Sequence, residues 1–243
     1  MNYLCLAAGK GTRFGRLGSY LQKCMYPVGL RPFLELSLRN LLRSDGINIQ
    51  RDHLTLVVGH HAEQIKSYFG SNYEGLAITY LFQAEQLGTG HALYLAYEHL
   101  NQQDPLIAWL ADMYVSPQLF TEIQTHAFDN VQTIGPGEVG EKADLKVTTR
   151  GDRIVKAWQG DESLYDIGLW KLSPEVLALM MTERHGEYRM VPNLQYAIDQ
   201  GHDLGYIKTD DWLHLGGTLP SPEENVLNVV QKILRLEATY DHN

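Results

Sequence analysis

The chain is 243 residues long, 44% hydrophobic and 20% charged, with 20 Lys+Arg against 29 Asp+Glu and a formal net charge of −9. That length suits one large α/β unit rather than a multidomain assembly, and an acidic chain without a Lys/Arg-rich run lacks the spread basic face that nucleic acid or an anionic membrane requires. No apolar stretch approaches the roughly 20 residues that span a bilayer, and MNYLCLAAGKGTR is not an export leader, so a cytoplasmic protein without a membrane partner is expected.

Hydrophobic periodicity divides the chain into alternating elements. Tyr3 to Ala8 predicts a buried strand, and Pro32 to Leu42 spaces Phe33, Leu36, Leu38, Leu41 and Leu42 as a helix ending near Asp45-Gly46. Leu54 to Val58 predicts a second strand, followed by a helix around Ala62 to Phe69, a strand at Leu76 to Phe82 and a helix from Thr89 to Leu100. Leu106 to Leu110 makes a fourth strand ending at Ala111-Asp112, before a helix over Ser116 to Thr125. Four strand–helix units in succession specify a doubly wound, mostly parallel α/β sheet. Beyond about Gln132 the pattern turns mixed: strands at Asp144 to Thr149, Arg153 to Trp158 and Tyr165 to Leu172, with Gly151-Asp152 as a hairpin turn. Helices near Pro174 to Thr182 and Val191 to Gln200, a strand at Leu204 to Ile207 and a helix over Pro222 to Tyr240, N-capped by Ser221, complete the reading. The expected fold is therefore a doubly wound sheet with an inserted mixed β lobe and a C-terminal helix.

Charge and cysteine placement narrow the chemistry. Residues 1–34 hold Lys10, Arg13, Arg16, Lys23 and Arg31 and no acidic residue, which leaves −14 on the rest of the chain. A basic leader on an acidic body suits a polyanion held at one end of the fold. Cys5 lies in an apolar run and reads as a small buried hydrophobe, and Cys24 has no neighbouring His or carboxylate that would make it a nucleophile. The loop after the first strand is Gly9-Lys10-Gly11-Thr12-Arg13-Phe14-Gly15. In an open parallel sheet that position borders the ligand crevice, and glycines that expose backbone N–H groups beside Lys10, Arg13 and Lys23 make a phosphate cradle. It is neither a Walker A loop nor the dinucleotide fingerprint, whose sixth position here is Phe14.

Leu6-Ala-Ala-Gly-Lys-Gly-Thr-Arg13, with Lys23 and Tyr26-Pro27-Val28 behind it, resembles the N-terminal signature of the sugar-phosphate nucleotidylyltransferases. A second block, Gln83-Ala-Glu-Gln-Leu-Gly-Thr-Gly-His-Ala92, is similar to that family's base-binding segment, most of all in uridylyltransferases acting on N-acetylglucosamine 1-phosphate. The resemblance implies a nucleotide-diphospho-sugar transferase type of fold, with a nucleotide-binding half over 1–130, a sugar-phosphate half over 131–219 and a C-terminal helix over 220–243 in a single unit. It implies NTP, UTP first, and a sugar phosphate or similar phosphorylated alcohol as partners, Mg²⁺ or another divalent metal as cofactor, and no nucleic acid. It further implies Leu6, Ala8, Gly9, Lys10, Gly11, Thr12, Gln83, Gly88 and Thr89 around the nucleotide, with Arg13, Lys23 and Asp112 in catalysis. Gln83 would pair with a base edge through donor and acceptor together, Gly88 would leave room for the ring, and homo-oligomers are a possible assembly.

Three departures from the family pattern qualify that reading. Where the family has Glu-Lys-Pro this chain has Trp158-Gln159-Gly160, so Lys142, Lys146, Lys156 and Lys171 stand as alternative grips for the acceptor phosphate. The family's Asn-x-Gly appears as Asp166-Ile-Gly168, which keeps a hydrogen-bonding side chain for a sugar or ribose hydroxyl while adding a charge, and Glu187 resembles the family's sugar-hydroxyl glutamate. At Trp212-Leu-His-Leu-Gly-Gly-Thr218 the family's second metal-binding Asp is His214, an imidazole better suited to Mn²⁺ or Co²⁺ than to Mg²⁺ unless Asp210 or Asp211 substitutes. A nucleotide-binding regulatory module that has lost turnover is the alternative.

Overall fold

The protein is described from a computed structural model that covers residues 1–100, 104–136, 145–181, 183, 188–210, 212–216 and 222–240; the side chains of Arg13 and of residues 222–224 lie outside that description. Among these residues the strands are β1 (Asn2–Ala7), β2 (Pro27–Val28), β3 (Arg31–Pro32), β4 (His53–Val58), β5 (Asn72–Tyr73), β6 (Leu76–Phe82), β7 (Leu106–Leu110), β8 (Met113–Tyr114), β9 (Val131–Pro136), β10 (Thr148–Arg150), β11 (Arg153–Lys156), β12 (Leu164–Leu172), β13 (Gly205–Lys208) and β14 (Leu213–His214). The helices are α1 (Phe33–Leu42), α2 (Ala62–Phe69), α3 (Thr89–His99), α4 (Pro117–Thr125), α5 (Pro174–Leu177), α6 (Met190–Asp199) and α7 (Pro222–Tyr240).

One sheet carries the fold, in the order β10-β11-β13-β9-β12-β7-β1-β4-β6-β5. Its centre is parallel: β1 pairs in register with β4 and with β7, and β4 with β6. The period of two along β1 sends Tyr3, Cys5 and Ala7 into one core with Leu38 of α1, Ile65 of α2 and Phe120 of α4, and Leu4 with Ala8 into the other with Leu93 of α3, Val176 of α5 and Leu194 of α6. Covering on both faces is why these strands read as unbroken apolar runs.

The mixed half continues this sheet. β12 runs antiparallel to β7 and to β9, β13 joins β9 in parallel, and β10 and β11 form the outer hairpin around Gly151 (φ 63°). β9 has no counterpart in the periodicity, because Gln132 and Thr133 are fully buried polar residues and Gly135-Pro136 reads as a turn. The burial is compatible with a strand at Thr133, whose hydroxyl donates to Leu169 O at 2.8 Å. The expected strand over Asp144 to Thr149 is shorter in the described residues, and the N-cap at Ser221 lies outside them.

A third apolar cluster lies under the carboxyl edge of the sheet. Val226, Val229 and Ile233 of α7 pack with Phe14, Val28, Phe33, Tyr114 and Leu215, so the C-terminal helix braces the loop after β1 and the β8/β14 ladder together. Glu237 fixes its far end, accepting from Tyr114 Oη at 2.8 Å and from Arg43 at 3.0 Å.

Trp109 of β7 is fully buried against Phe120 in a T-shaped contact with ring centroids 5.4 Å apart, and its indole N–H has no partner among the described residues. Trp109→Ala should therefore cost about 3–5 kcal/mol, while Trp109→Phe, which removes no hydrogen bond, should cost about 1–2 kcal/mol. Urea unfolding midpoints at constant m check both values.

Candidate active site

β1 lies between β4 and β7, so the winding of the sheet reverses at its carboxyl end, the position where such sheets take a ligand. A cavity of about 380 Å³ opens there, lined by Leu6, Ala8, Gly9, Gly11 and Thr12 of the first strand and its loop, Gln83, Gln86, Gly88 and Thr89 after β6, and Lys23, Asp112 and His214. Lys10 is exposed and does not line it.

The loop turns at Gly11 (φ 61°) into a 3-10 segment, Thr12–Ser19, broken at Gly15 (φ 59°, ψ −139°). No side chain caps its start and Phe14 N donates to Gly11 O at 2.8 Å, which leaves the N–H groups of Thr12 and Arg13 for an anion. The loop is held by side chains from α2 and the turn before it. His60 Nε2 lies 3.1 Å from Gly18 O, and Gln64 Nε2 donates to Tyr20 O at 2.8 Å while its Oε1 accepts from Gln22 N at 2.8 Å. Gln22 in turn donates to Ala7 O at 2.7 Å and accepts from Cys24 N at 3.0 Å, which pins Lys23 to the end of β1.

Lys23 is 9% exposed, and its Nζ donates to Asp112 Oδ2 at 2.5 Å. Its stem passes Gly216 (φ 91°), where a Cβ would lie 3.0 Å from Lys23 Cε. His214 Nε2 reaches the same Asp112 oxygen at 3.0 Å, placed by β14, whose His214 pairs with Met113 of β8 and whose successor Leu215 donates from N to Asp112 O at 2.8 Å. Burial by itself would raise the Asp112 carboxyl, but the charges of His214 and Lys23 and their hydrogen bonds outweigh it and hold the group well below the usual carboxylate range. Asp112 Oδ1 has no partner among the described residues. An open carboxylate oxygen beside an imidazole on a cavity wall fits a divalent cation that completes its shell with substrate oxygens and water. No third His, Cys, Asp or Glu joins them among the described residues. Burial pushes the Cys24 thiol well up, which removes it as a nucleophile.

At the opposite end Gln83 is 4% exposed, and its Nε2 donates to Gly88 O at 3.3 Å and lies 2.9 Å from His91 Nδ1. Both contacts engage the Nε2 end of the amide. Gly88 (φ 111°, ψ 172°) is glycine because a Cβ would lie 2.5 Å from Tyr188 O. Tyr188 stitches the following segment to it, donating from N to Leu87 O at 2.8 Å and accepting from Gly90 N at 2.7 Å.

The MobA-like NTP transferase domain family matches residues 3–191. The chain belongs to this family. Its relatives include the bifunctional protein GlmU of Acetivibrio thermocellus, 26% identical over an alignment of 227 positions that covers 85% of this chain and 46% of that protein. Another is the UTP–glucose-1-phosphate uridylyltransferase AglF of Haloferax volcanii, 25% identical over 87% of this chain and 89% of that protein. The chain spans about half the length of the Acetivibrio protein. The fold matches a Bacillus anthracis putative glucose-1-phosphate thymidylyltransferase at a TM-score of 0.75 and 18% identity, covering 95% of each chain. It also matches the inositol-1-phosphate CTP transferase of T. maritima at 0.72 and 16%, covering 95% of this chain and 96% of that one. The resemblance carried by the two sequence blocks therefore holds across the domain, as does the mostly parallel sheet it implied.

The structure brings Lys23, Asp112, Gln83, Gly88 and Thr89 of the matched region, and His214 beyond it, to one cavity. Asp166 is on β12, off the cavity wall, where it accepts from Trp170 Nε1 at 2.8 Å. Glu187, Lys142, Asp211 and the Arg13 side chain lie outside the described residues, and Asp210 is exposed away from the cavity. Of the alternative lysines, Lys171 donates to His126 O at 3.0 Å, and it sits where β12 reaches Ile107, near the amino end of β7 and away from Asp112. Lys156 lies on the outer hairpin, 3.8 Å from Asp161. Lys146 bridges to Tyr165, next to Asp166. Gln22, Gln86 and Gly216 were missed by sequence reasoning, although Gln86 falls inside the base-binding block that flagged Gln83, and His91 reads from the sequence only as a helix-start residue, which its place in the first turn of α3 matches.

Gly216→Ala should destabilise the NTP transferase domain by about 1–3 kcal/mol, since it combines a left-handed backbone with a Cβ against the Lys23 stem. Gly9→Ala, with nothing within 4 Å of its Cβ, should stay within about 1 kcal/mol of the parent. Chemical denaturation of the two variants side by side checks the contrast.

Proposed function

We propose that the chain is a nucleotidylyltransferase that joins an NTP, with UTP the first choice, to a sugar 1-phosphate or a related phosphorylated alcohol and releases pyrophosphate. The observation that carries this reading is the convergence of Lys23, Asp112 and His214 in one cavity with the uncapped loop start, the amide of Gln83 lining the same space. The uridylyltransferase AglF, which the chain covers almost end to end, supports the choice of UTP and of a sugar phosphate.

In this reaction an acceptor phosphate oxygen forms a bond to the α-phosphorus as the bond from that phosphorus to the β-bridging oxygen breaks, its electron pair leaving on pyrophosphate. No side chain has to supply a nucleophile, so positioning and charge neutralisation carry the catalysis. Loop N–H groups from Gly11 onward and the Arg13 guanidinium hold the β and γ phosphates. Lys23, a flexible point charge, exchanges its bond with Asp112 Oδ2 for the α-phosphate oxygens as negative charge shifts toward the leaving group. Asp112 and His214 would hold a divalent cation, which when bound neutralises phosphate charge as a Lewis acid. With one carboxylate and one imidazole the pair suits Mn²⁺ or Co²⁺ alongside Mg²⁺.

Pyrophosphate release from UTP, CTP, dTTP and GTP with Mg²⁺ or Mn²⁺, against a pool of sugar, alditol and choline phosphates, tests the proposal. Release with one pair of substrates establishes it, and NTP binding without release under any combination replaces it with the regulatory reading that His214 would favour. Lys23→Ala and Asp112→Ala should each lower kcat/KM by at least about 10²-fold, and parent-like turnover in either would remove that residue from the mechanism. His214→Asp should move the metal preference toward Mg²⁺, as read from rates across a Mg²⁺, Mn²⁺ and Co²⁺ series.

A further inference from the structure

Gln83 raises a question of orientation that its neighbours answer. The two ends of a glutamine amide differ only in which atom donates, and the environment decides between them. The main-chain oxygen of Gly88, 3.3 Å away, can only accept, so the atom facing it is Nε2. The same Nε2 is 2.9 Å from His91 Nδ1, and two donors cannot share that contact, so His91 Nδ1 bears its lone pair and the ring proton sits on Nε2. Gln83 Oε1 then has no donor among the described residues, and it is not sealed off from the cavity that Gln83 lines. His91 sits on the third residue of α3, and Gly88 directly precedes that helix, so both restraints come from one rigid element.

We infer that His91 is a positioning residue for nucleobase choice: with Gly88 O it locks the Gln83 amide so that the site presents an acceptor to the base and selects a pyrimidine with a ring N–H, uracil, over one with a ring lone pair, cytosine. This rests on the nucleotide-binding reading above. The restraint acts through the amide and not on the reacting phosphates. Freed from His91, the amide is held only by the long bond to Gly88 O, which still favours Nε2 on that side, so Oε1 is no longer fixed at one place on the cavity wall. Uracil then bonds a less well placed acceptor and the cytosine N3 lone pair is repelled less by it, so discrimination falls.

The test is a binding and turnover series on the full chain with UTP, CTP and N3-methyl-UTP, whose methyl group replaces the ring N–H. The parent should bind UTP at least about tenfold more tightly than either of the others, by calorimetry. His91→Leu should lower the UTP over CTP preference by about fivefold or more, the worth of one neutral hydrogen bond, with the change in KM rather than kcat. His91→Asn, whose Oδ1 can accept in place of Nδ1, should restore most of the preference, which a loss of packing alone would not allow. Equal binding of UTP and N3-methyl-UTP by the parent, or an unchanged preference in His91→Leu, overturns the inference. A parent that shows the binding series but releases no pyrophosphate with any acceptor leaves the inference standing and overturns the catalytic reading instead.

Discussion

Asp112 Oδ2 is the point on which the site depends, because Lys23, from the turn after the first loop, and His214, from the end of the chain's last strand, both meet it. A carboxylate with a side chain 22% exposed and an ammonium with one 10% exposed would each be costly to shelter alone. Paired, they hold the cavity open in the absence of ligand without leaving an unmatched charge. Under the proposed reaction the pairing would also prepare an exchange of partners. A polyphosphate entering the cavity would offer Lys23 oxygens of higher charge than a carboxylate does, and the departure of Lys23 from Asp112 would free the carboxylate for a cation. Each partner would be held ready by the other until such a ligand separates them.

Geometry of this kind requires the three segments to be fixed independently. β8 and β14 form a two-stranded ladder, and Leu215 N bonds Asp112 O, so His214 cannot move without Asp112. α7 packs Val226, Val229 and Ile233 against Leu215 and Tyr114 on one side and Phe14 on the other. The last helix is distant in sequence from the loop after β1, yet it sets how that loop sits relative to the ladder. Dispersed contacts of this sort are how a fold keeps a site within the fractions of an ångström that charge neutralisation demands.

The first half of the chain was legible because its physics is local. The central parallel strands are largely apolar and end in turn residues, so the bounds of β6 and β7 follow from composition, and those of α2 from its helical period. β9 was not legible, since Gln132 and Thr133 are buried for reasons that lie in β12 and β13. The same division runs through the site. Lys23, Asp112 and Gln83 were found through motifs, and His214 through a departure from one. Gly216, Gln22 and His91 act on residues far away in sequence or orient another side chain, and neither role leaves a pattern in the chain itself. Gly88 was read as space for a base, whereas its φ of 111° and the Tyr188 carbonyl already require glycine before any ligand arrives.

Three glutamines show what the carboxyl edge of a parallel sheet asks of its neighbours. Strand ends present carbonyls with no further ladder to pair them, and Gln22 donates to Ala7 O while Gln86 donates to Ala8 O, each at 2.7 Å. Gln83 donates likewise to Gly88 O, the N-cap carbonyl of α3, which Ala92 N also approaches at 3.4 Å. In satisfying those oxygens Gln83 and Gln86 turn their own carbonyls away from them, so the wall after β6 is rich in acceptors. Across the cavity the uncapped loop start and Lys23 are donors and positive charge. A nucleotide has the opposite polarity along its length, with anionic phosphates at one end and, in uracil, a ring N–H at the other. On the proposed function the cavity would be complementary to such a molecule in one direction, with the α-phosphorus beside Lys23 and Asp112 rather than at the glutamine wall. Orientation of the nucleotide would then follow from how the sheet satisfies its own backbone.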